Sequence, residues 1–257
     1  MSEHPVFVAF CTIVRKEIAR FMRIWMQTIL PPAVSMTLYF IVFGSLIGSR
    51  IGHMSGIRYM DFIAPGIIMM SIINNSYANV VSSFFGAKFQ HHIEEMLVAP
   101  IPNWVILAGY ITGGVVRGLA VGVVVTVIAM IFTDLRIHSL AAVIAVVLLT
   151  AVLFSLGGMI NAVYARKFDD ISIIPTFVLT PLIYLGGIFY SINLLPPFWQ
   201  DVSRLNPILY MVNAFRYGLL GISDIRLGHA LGVICIFVAV LAGFALYLLN
   251  RGTGIKN

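Results

Sequence analysis

Seven stretches of 16 residues or more carry no Asp, Glu, Lys or Arg: 24–49, 62–87, 96–116, 118–133, 137–165, 171–200 and 227–250. A helix crossing hydrocarbon needs roughly 20 mostly apolar residues, so most of these windows are long enough to span and several have room for turns. Arg117 separates two windows that read as one helix. The pattern predicts an all-α membrane protein with six transmembrane helices, at about 25–47, 62–85, 110–132, 140–164, 171–189 and 231–249, in a single domain over 1–257.

The polar interruptions carry as much information as the apolar runs. Before the first span, Phe7, Phe10, Val14, Ile18, Phe21 and Trp25 recur at three- and four-residue spacing, with Arg15, Lys16, Arg20 and Arg23 largely elsewhere. The basic residues follow an apolar start, the reverse of a signal peptide. This predicts an amphipathic helix in the membrane interface, either packed on other cytoplasmic elements or serving only as a juxtamembrane anchor. Between the second and third spans the chain reads KFQHHIEEMLVAPIP from Lys88 to Pro102. Lys88, His91, His92, Glu94 and Glu95 are too expensive to place in hydrocarbon, so this piece lies at the surface. Its Ile93, Met96 and Leu97 form an apolar side that needs a cover.

Composition fixes the class. Hydrophobic residues make up 60% of 257 and charged residues 10%, against about a quarter charged in soluble domains. Nine basic residues (Arg15, Lys16, Arg20, Arg23, Lys88, Arg166, Lys167, Arg251 and Lys256) fall on the side of the termini, against six opposite. The Arg15–Arg23 cluster abuts the first span and orients it. Both termini, with 1–24, 86–104, 165–170 and 250–257, are placed in the cytoplasm. The net charge of +6 reads as contact with anionic membrane lipids, not nucleic acid, because no basic face with interleaved aromatics stands outside the membrane.

Catalytic and cofactor chemistry is not expected on this chain. A phosphate-binding loop needs lysine after glycine, and the four lysines follow Arg15, Ala87, Arg166 and Ile255. His91 and His92 point about 100° apart on a helix, which suits solvated side chains and no shared metal. The energy source is therefore another polypeptide or an ion gradient. Gradient-driven carriers place ionisable groups within their spans, where this chain has almost only Arg117. That residue either snorkels to the interface or pairs with an acid inside.

Inside the spans, Ser71, Asn75 and Asn79, with Ser82, share one face of the second helix, beside Asn74. They serve either hydrogen bonding between helices or a wetted path. Gly114, Gly118 and Gly122 make a smooth stripe for a neighbouring helix, and Ala151, Ser155, Gly158 and Ala162 nearly repeat it. A six-span chain is small for a pathway of its own, which points to a homodimer. From Tyr190 to Gly228 the chain is too apolar for a soluble insert and broken by Pro196-Pro197 and Pro207. It predicts two short re-entrant helices, the second starting at Asn206-Pro207, with Trp199 at headgroup level.

Asn206-Pro207-x-x-Tyr210, with Arg216 further on, resembles the signature region of the type-2 ABC exporter permeases. Glu94 to Pro100 resembles their first cytoplasmic loop and Phe168-Asp169-Asp170 their second, in the same order on the same six-span plan. The closest resemblance is to bacterial inner-membrane permeases grouped with drug-resistance and lipo-oligosaccharide exporters. The resemblance implies a multi-pass inner-membrane permease subunit. Two copies would pair with two copies of a separate ATPase, which would bind ATP and Mg; this chain itself would bind no cofactor. Lys88, His91, Glu94, Glu95 and Leu97 would form a coupling helix docking on that ATPase, and Asp169 and Asp170 either touch it too or complement a helix dipole. The cargo expected of an apolar, aromatic path is an amphiphile, lipid or lipid-linked glycan. A gradient-driven carrier and a non-transporting anchor subunit are the alternatives.

Overall fold

In the computed structural model of the chain, the residues described are 3–54, 56–98, 100–252 and 254, with the side chains of Glu3, His4, Ser45 and Leu97 excepted. Lys256, counted above among the cytoplasmic charges, and Ala99, within the first-loop motif, lie outside the described residues. Ten helical elements are used below. They are α1 (Glu3–Arg23), α2 (Trp25–Ile51), α3 (Tyr59–Phe89), α4 (His92–Val98), α5 (Asn103–Phe132), α6 (Leu140–Tyr164), α7 (Asp170–Leu185), α8 (Pro197–Arg204), α9 (Pro207–Leu220) and α10 (Leu227–Arg251). A small antiparallel ladder, β1 (His53–Met54) with β2 (Ile57–Arg58), reverses the chain between α2 and α3, His53 opposite Arg58.

Four helices are long and apolar enough to cross a membrane: α2, α5, α6 and α10. α3 is not among them, although at 31 residues it extends about 46 Å. Its second half carries Asn74, Asn75, Asn79, Ser82 and Ser83, and lipid would not accept those amides unaided. The fold accommodates them by placing α3 at the centre, against α2, α5, α6 and α9, with every side chain from Phe62 to Met69 buried. Asp61 in its first turn and Lys88 in its last each oppose the helix dipole end they face.

Small residues let the neighbours come close. A methyl group at Gly118 would fall on the Ser76 hydroxyl, and at Gly114 or Gly122 it would meet Val80 or Ile72, so the predicted glycine stripe is the seat of α3 on α5. Ala151, Ser155, Gly158 and Ala162 are likewise buried, Gly158 against the Tyr77 carbonyl of α3.

Several boundaries differ from the sequence-based expectation. α6 matches at 140–164. α5 begins at Asn103 instead of 110, since Pro102 serves as its N-cap and nothing polar intervenes. α2, α3 and α10 each extend past the expected limits. The fifth helix ends at Leu185 instead of 189, about 24 Å long, because Gly186 and Gly187 follow and Gly187 has φ +71°, a left-handed backbone that side chains disfavour. Two helices carry a π-helical stretch, α2 over Phe40–Ile47 and α7 over Pro175–Leu179, the second starting at a proline.

α1 also corrects its predicted face. Phe7 and Trp25 are exposed, whereas Ile13, Glu17 and Phe21 are buried. The helix lies on α5, with Ile13 over Gly109 and Glu17 over Gly113, so of the two readings of this helix the structure shows the packed one.

Candidate functional site

Four groups of residues carry the polar and aromatic contacts from which a working site could be built, two of them buried and two partly open. The first is the end of the bundle that carries α4. Ile93 is buried and Met96 packs on the core, so the chain itself covers these two residues of α4, while Val98 at its end is 87% exposed. His91 makes the turn into α4 with φ 61° and its Nδ1 lies 2.9 Å from Glu94 Oε1. Lys88 points inward, donating to the carbonyls of Val163 at 2.6 Å and Ala165 at 2.7 Å, which closes the C-terminus of α6. Burial, with Arg166 adding repulsion, holds this ammonium below the ordinary lysine value, and Asp170 opposes the shift.

The loop between α6 and α7 lies alongside. Phe168 packs edge-on against Phe85 and Phe89, each ring centroid 5.0 Å away. Asp170 accepts the backbone N–H groups of Arg166 at 2.8 Å and Lys167 at 3.0 Å, which hold its carboxyl below the usual range. Asp169 accepts through its backbone carbonyl from Ser172. What faces outward is thus Glu94, Glu95 and Asp169, together with His91, His92, Arg166 and Lys167, around the exposed rings of Phe89 and Phe168. The side chain of Leu97 lies outside the described residues.

The second group is a polar core between α1, α3 and α5. Glu17, fully buried, accepts from Ser83 Oγ at 2.6 Å and stands 3.5 Å from Arg20. Arg20 donates to Asn79, and Arg117 to Asn75 Oδ1 at 3.3 Å. Arg117 therefore neither snorkels nor forms an ion pair among the described residues; it leans on the amide face of α3. Asn75 donates back to the Ser71 carbonyl. Ser71 Oγ, Asn79 Nδ2, Arg117 Nε and the Tyr110 hydroxyl are buried without a hydrogen bond. Sequence reasoning gave Glu17 no role and put Arg20 on the solvated side; only their position i and i+3 hinted at a pair.

The third group holds the far end together. Asn206 Oδ1 accepts the Ile208 N–H and caps α9, while its Nδ2 donates to the Leu182 carbonyl of α7 at 2.6 Å. Pro207 occupies the first helical position. Tyr210 Oη donates to the Arg204 carbonyl at 2.7 Å. Arg216 is 1% exposed, donates to the Gly187 carbonyl at 2.9 Å, and stacks over the Phe62 ring at 3.8 Å. These four residues pin α9 to α7, α8 and the start of α3.

The fourth group is what α3 leaves uncovered. Met70, Asn74, Ala78, Ser82 and Gly86 recur every four residues and are the half-buried or exposed positions over this part of an otherwise buried helix. At the far end, Phe189 stacks with Phe43 at 4.6 Å and with Tyr39 at 5.9 Å, and leans on Tyr184 at 6.1 Å. Tyr59 Oη fixes the Phe189 carbonyl at 3.0 Å. These rings join α2 to the end of α7.

A bundle of apolar helices with a surface-facing acidic turn at one end and a pinned helical insert at the other is the arrangement of a membrane transporter subunit, and the chain belongs to the ABC-2 type transporter family, whose model matches residues 8–220. It is 59% identical over 254 residues to the inner membrane transport permease YadH of Escherichia coli K12, covering 99% of each chain. It is also similar to the nodulation protein J of Rhizobium meliloti, 23% identical over 92% of this chain and 91% of that one. The nodulation protein J of Neorhizobium galegae is 27% identical over 83% of this chain and 82% of its own length.

Proposed function

We infer that the chain is the permease subunit of an ATP-driven exporter of the bacterial inner membrane, working as a homodimer with a separate ATPase that binds ATP and Mg. Six crossings serve this reading: α2, α5, α6 and α10, with the polar α3 held among them and the short α7 completed by the pinned segment after it. Both termini and α4 face the cytoplasm, following the basic residues near α1. α8 and α9 dip into the opposite leaflet, where their contacts with α7 and α3 satisfy the backbone. The family and the YadH relative, itself named an inner membrane transport permease, support the reading.

One observation carries it. Glu94, Glu95 and Asp169 project outward from a loop pair that is held by the buried Ile93, by Lys88 on the Val163 carbonyl and by the half-open Phe168 ring resting on Phe85. Such a surface transmits a push instead of yielding to it. Glu94 and Glu95 would meet basic residues of the ATPase, with Lys88, His91 and Asp170 fixing the geometry. The push would reach α3 directly through Phe89, and α7 through Phe168. α2 and α7, each softened by a π-helical turn, would then move against the α3 stripe and part the rings around Phe189. A stripe mixing Met70 and Ala78 with Asn74 and Ser82 suits an amphiphilic or lipid-linked cargo.

The deciding experiment is co-purification with the ATPase, followed by ATPase and transport assays in liposomes. Replacing Glu94 and Glu95 together by Arg should abolish the complex while leaving the permease folded; an unchanged complex would defeat the docking claim. Buried Glu17 gives a gradient-driven carrier one observation in its favour. Uptake by the chain alone under a proton gradient, lost in Glu17→Gln, would replace the exporter reading.

A further inference from the structure

On the side of the bundle away from the α3 stripe, α5 and α6 diverge around an apolar groove of about 360 Å³. α5 forms one wall from Leu119 to Met130, α6 the other from Val143 to Leu148, with Ile72 and Phe215 at the floor. Thr126 is the one polar side chain among the described lining residues, and its hydroxyl is already bonded to the Gly122 carbonyl at 2.7 Å. The groove is therefore dry in character and suited to hydrocarbon. From Leu119 to Met130 the wall rises about 16 Å, half of a hydrocarbon core about 30 Å thick. It has the length of one leaflet.

Its end opposite α4 is charged. Ile137 and Leu219 line both the groove and an adjoining cleft of about 400 Å³ that carries Asp61, Asp134, Arg136 and His138. Asp61 is occupied by Arg58, at 2.9 and 3.1 Å. Asp134 is 93% exposed and only 4.0 Å from Arg58 at its nearest. Arg136 is exposed and makes no ion pair or hydrogen bond among the described residues. One unpaired cation, Arg136, and one carboxylate held only by the long Arg58 contact, Asp134, thus line the cleft where the apolar groove meets the interface.

We propose that this groove is a binding site for a zwitterionic phospholipid bearing a primary amine: one acyl chain lies between α5 and α6, its phosphate on Arg136 and its ammonium on Asp134. A guanidinium forks onto phosphate oxygens, and a primary ammonium donates hydrogen bonds to a carboxylate where a quaternary one has none to give. An anionic headgroup without an amine would set its phosphate against Asp134 uncompensated. The site lies across α3 from the stripe assigned to cargo and needs neither ATPase nor turnover.

The test is photolabelling of the full-length protein in liposomes with phosphatidylethanolamine carrying a diazirine on its acyl chain, read by mass spectrometry, beside phosphatidylglycerol and phosphatidylcholine probes with the same chain. Label should concentrate several-fold on 119–130 and 143–148 over the exposed α10 positions Ile236 and Val240, and most strongly with the ethanolamine probe. Thr126→Phe, or Ile144→Phe if the first variant folds poorly, should remove the groove label and leave that on α10. Arg136→Glu or Asp134→Lys should erase the headgroup preference. Equal labelling of groove and α10 by all three probes, or label indifferent to the filling variants, would show bulk lipid only and overturn the site. Preference for the glycerol probe would overturn the headgroup assignment.

Discussion

One guanidinium nitrogen of Arg20 donates to both the side-chain oxygen of Asn79, at 2.8 Å, and its backbone carbonyl, at 3.0 Å, across 59 residues of sequence. Together with the Glu17–Ser83 bond it ties α1 to the side of α3. Glu17→Ala leaves the buried Ser83 hydroxyl without its acceptor, and Asn79→Leu takes from the part-exposed Arg20 its side-chain acceptor, each costing about 1–3 kcal/mol. Glu17→Ala and Asn79→Leu should each lower the melting temperature of the detergent-solubilised protein, and the double variant should fall short of their sum. Strict additivity would mean that the two contacts are independent.

The seat of α3 on α5 is equally open to measurement. Gly118→Val drives a branched side chain into Ser76 and should destabilise by about 1–3 kcal/mol, with reduced yield of folded protein. Gly232→Ala on α10, where a methyl meets nothing within 4 Å, should be neutral in the same thermal assay.

The Asp170 carboxylate is held below the ordinary aspartate range by the backbone N–H groups of Arg166 and Lys167. A depressed carboxylate stabilises fully above its unfolded pKa, and the contribution disappears as pH falls through the folded value. Hydrogen exchange at the Arg166 and Lys167 amides should therefore be protected above about pH 4, beyond the intrinsic pH dependence of exchange. Protection should fade at lower pH. Asp170→Asn should abolish the pH dependence of that protection.

Phe189 holds the ring cluster between α2 and α7. Phe189→Ala should open this end, seen as faster leakage of a small dye from liposomes containing the permease without ATPase. Leakage equal to that of the unaltered protein would remove the cluster from its role as a gate.

Much of this was written in charge-free windows. Leu140–Tyr164 is helical as read, because the polar residues around it, the Ser139 cap before and Arg166-Lys167 after, fall just outside the apolar run, and the Gly114, Gly118 and Gly122 stripe needed only helical spacing. The capping role of Asn206-Pro207 was equally local. What escaped was long-range. Glu17 and Arg20 look like solvated charges until Asn79 and Ser83 are brought beside them, and Lys88 looks like a surface lysine until the carbonyls at the end of α6 arrive. The stop at Gly186-Gly187 was missed because the apolar run continues past it to Phe189. The ring cluster of Phe85, Phe89 and Phe168 joins two loops that sequence treats as separate.

The polar character of α3 also bears on how the protein is made. A segment carrying Asn74, Asn75 and Asn79 partitions weakly into lipid by itself, and its satisfying partners are on α1, already synthesised, and on α5, which emerges later. Arg20 is present to meet Asn79 as α3 leaves the ribosome; Arg117 and the glycine stripe are not. If α3 is one of the six crossings proposed above, its stable residence in the bilayer awaits the synthesis of α5, and a chain cut off after α4 should be a substrate for quality-control proteolysis instead of an insertion intermediate at rest.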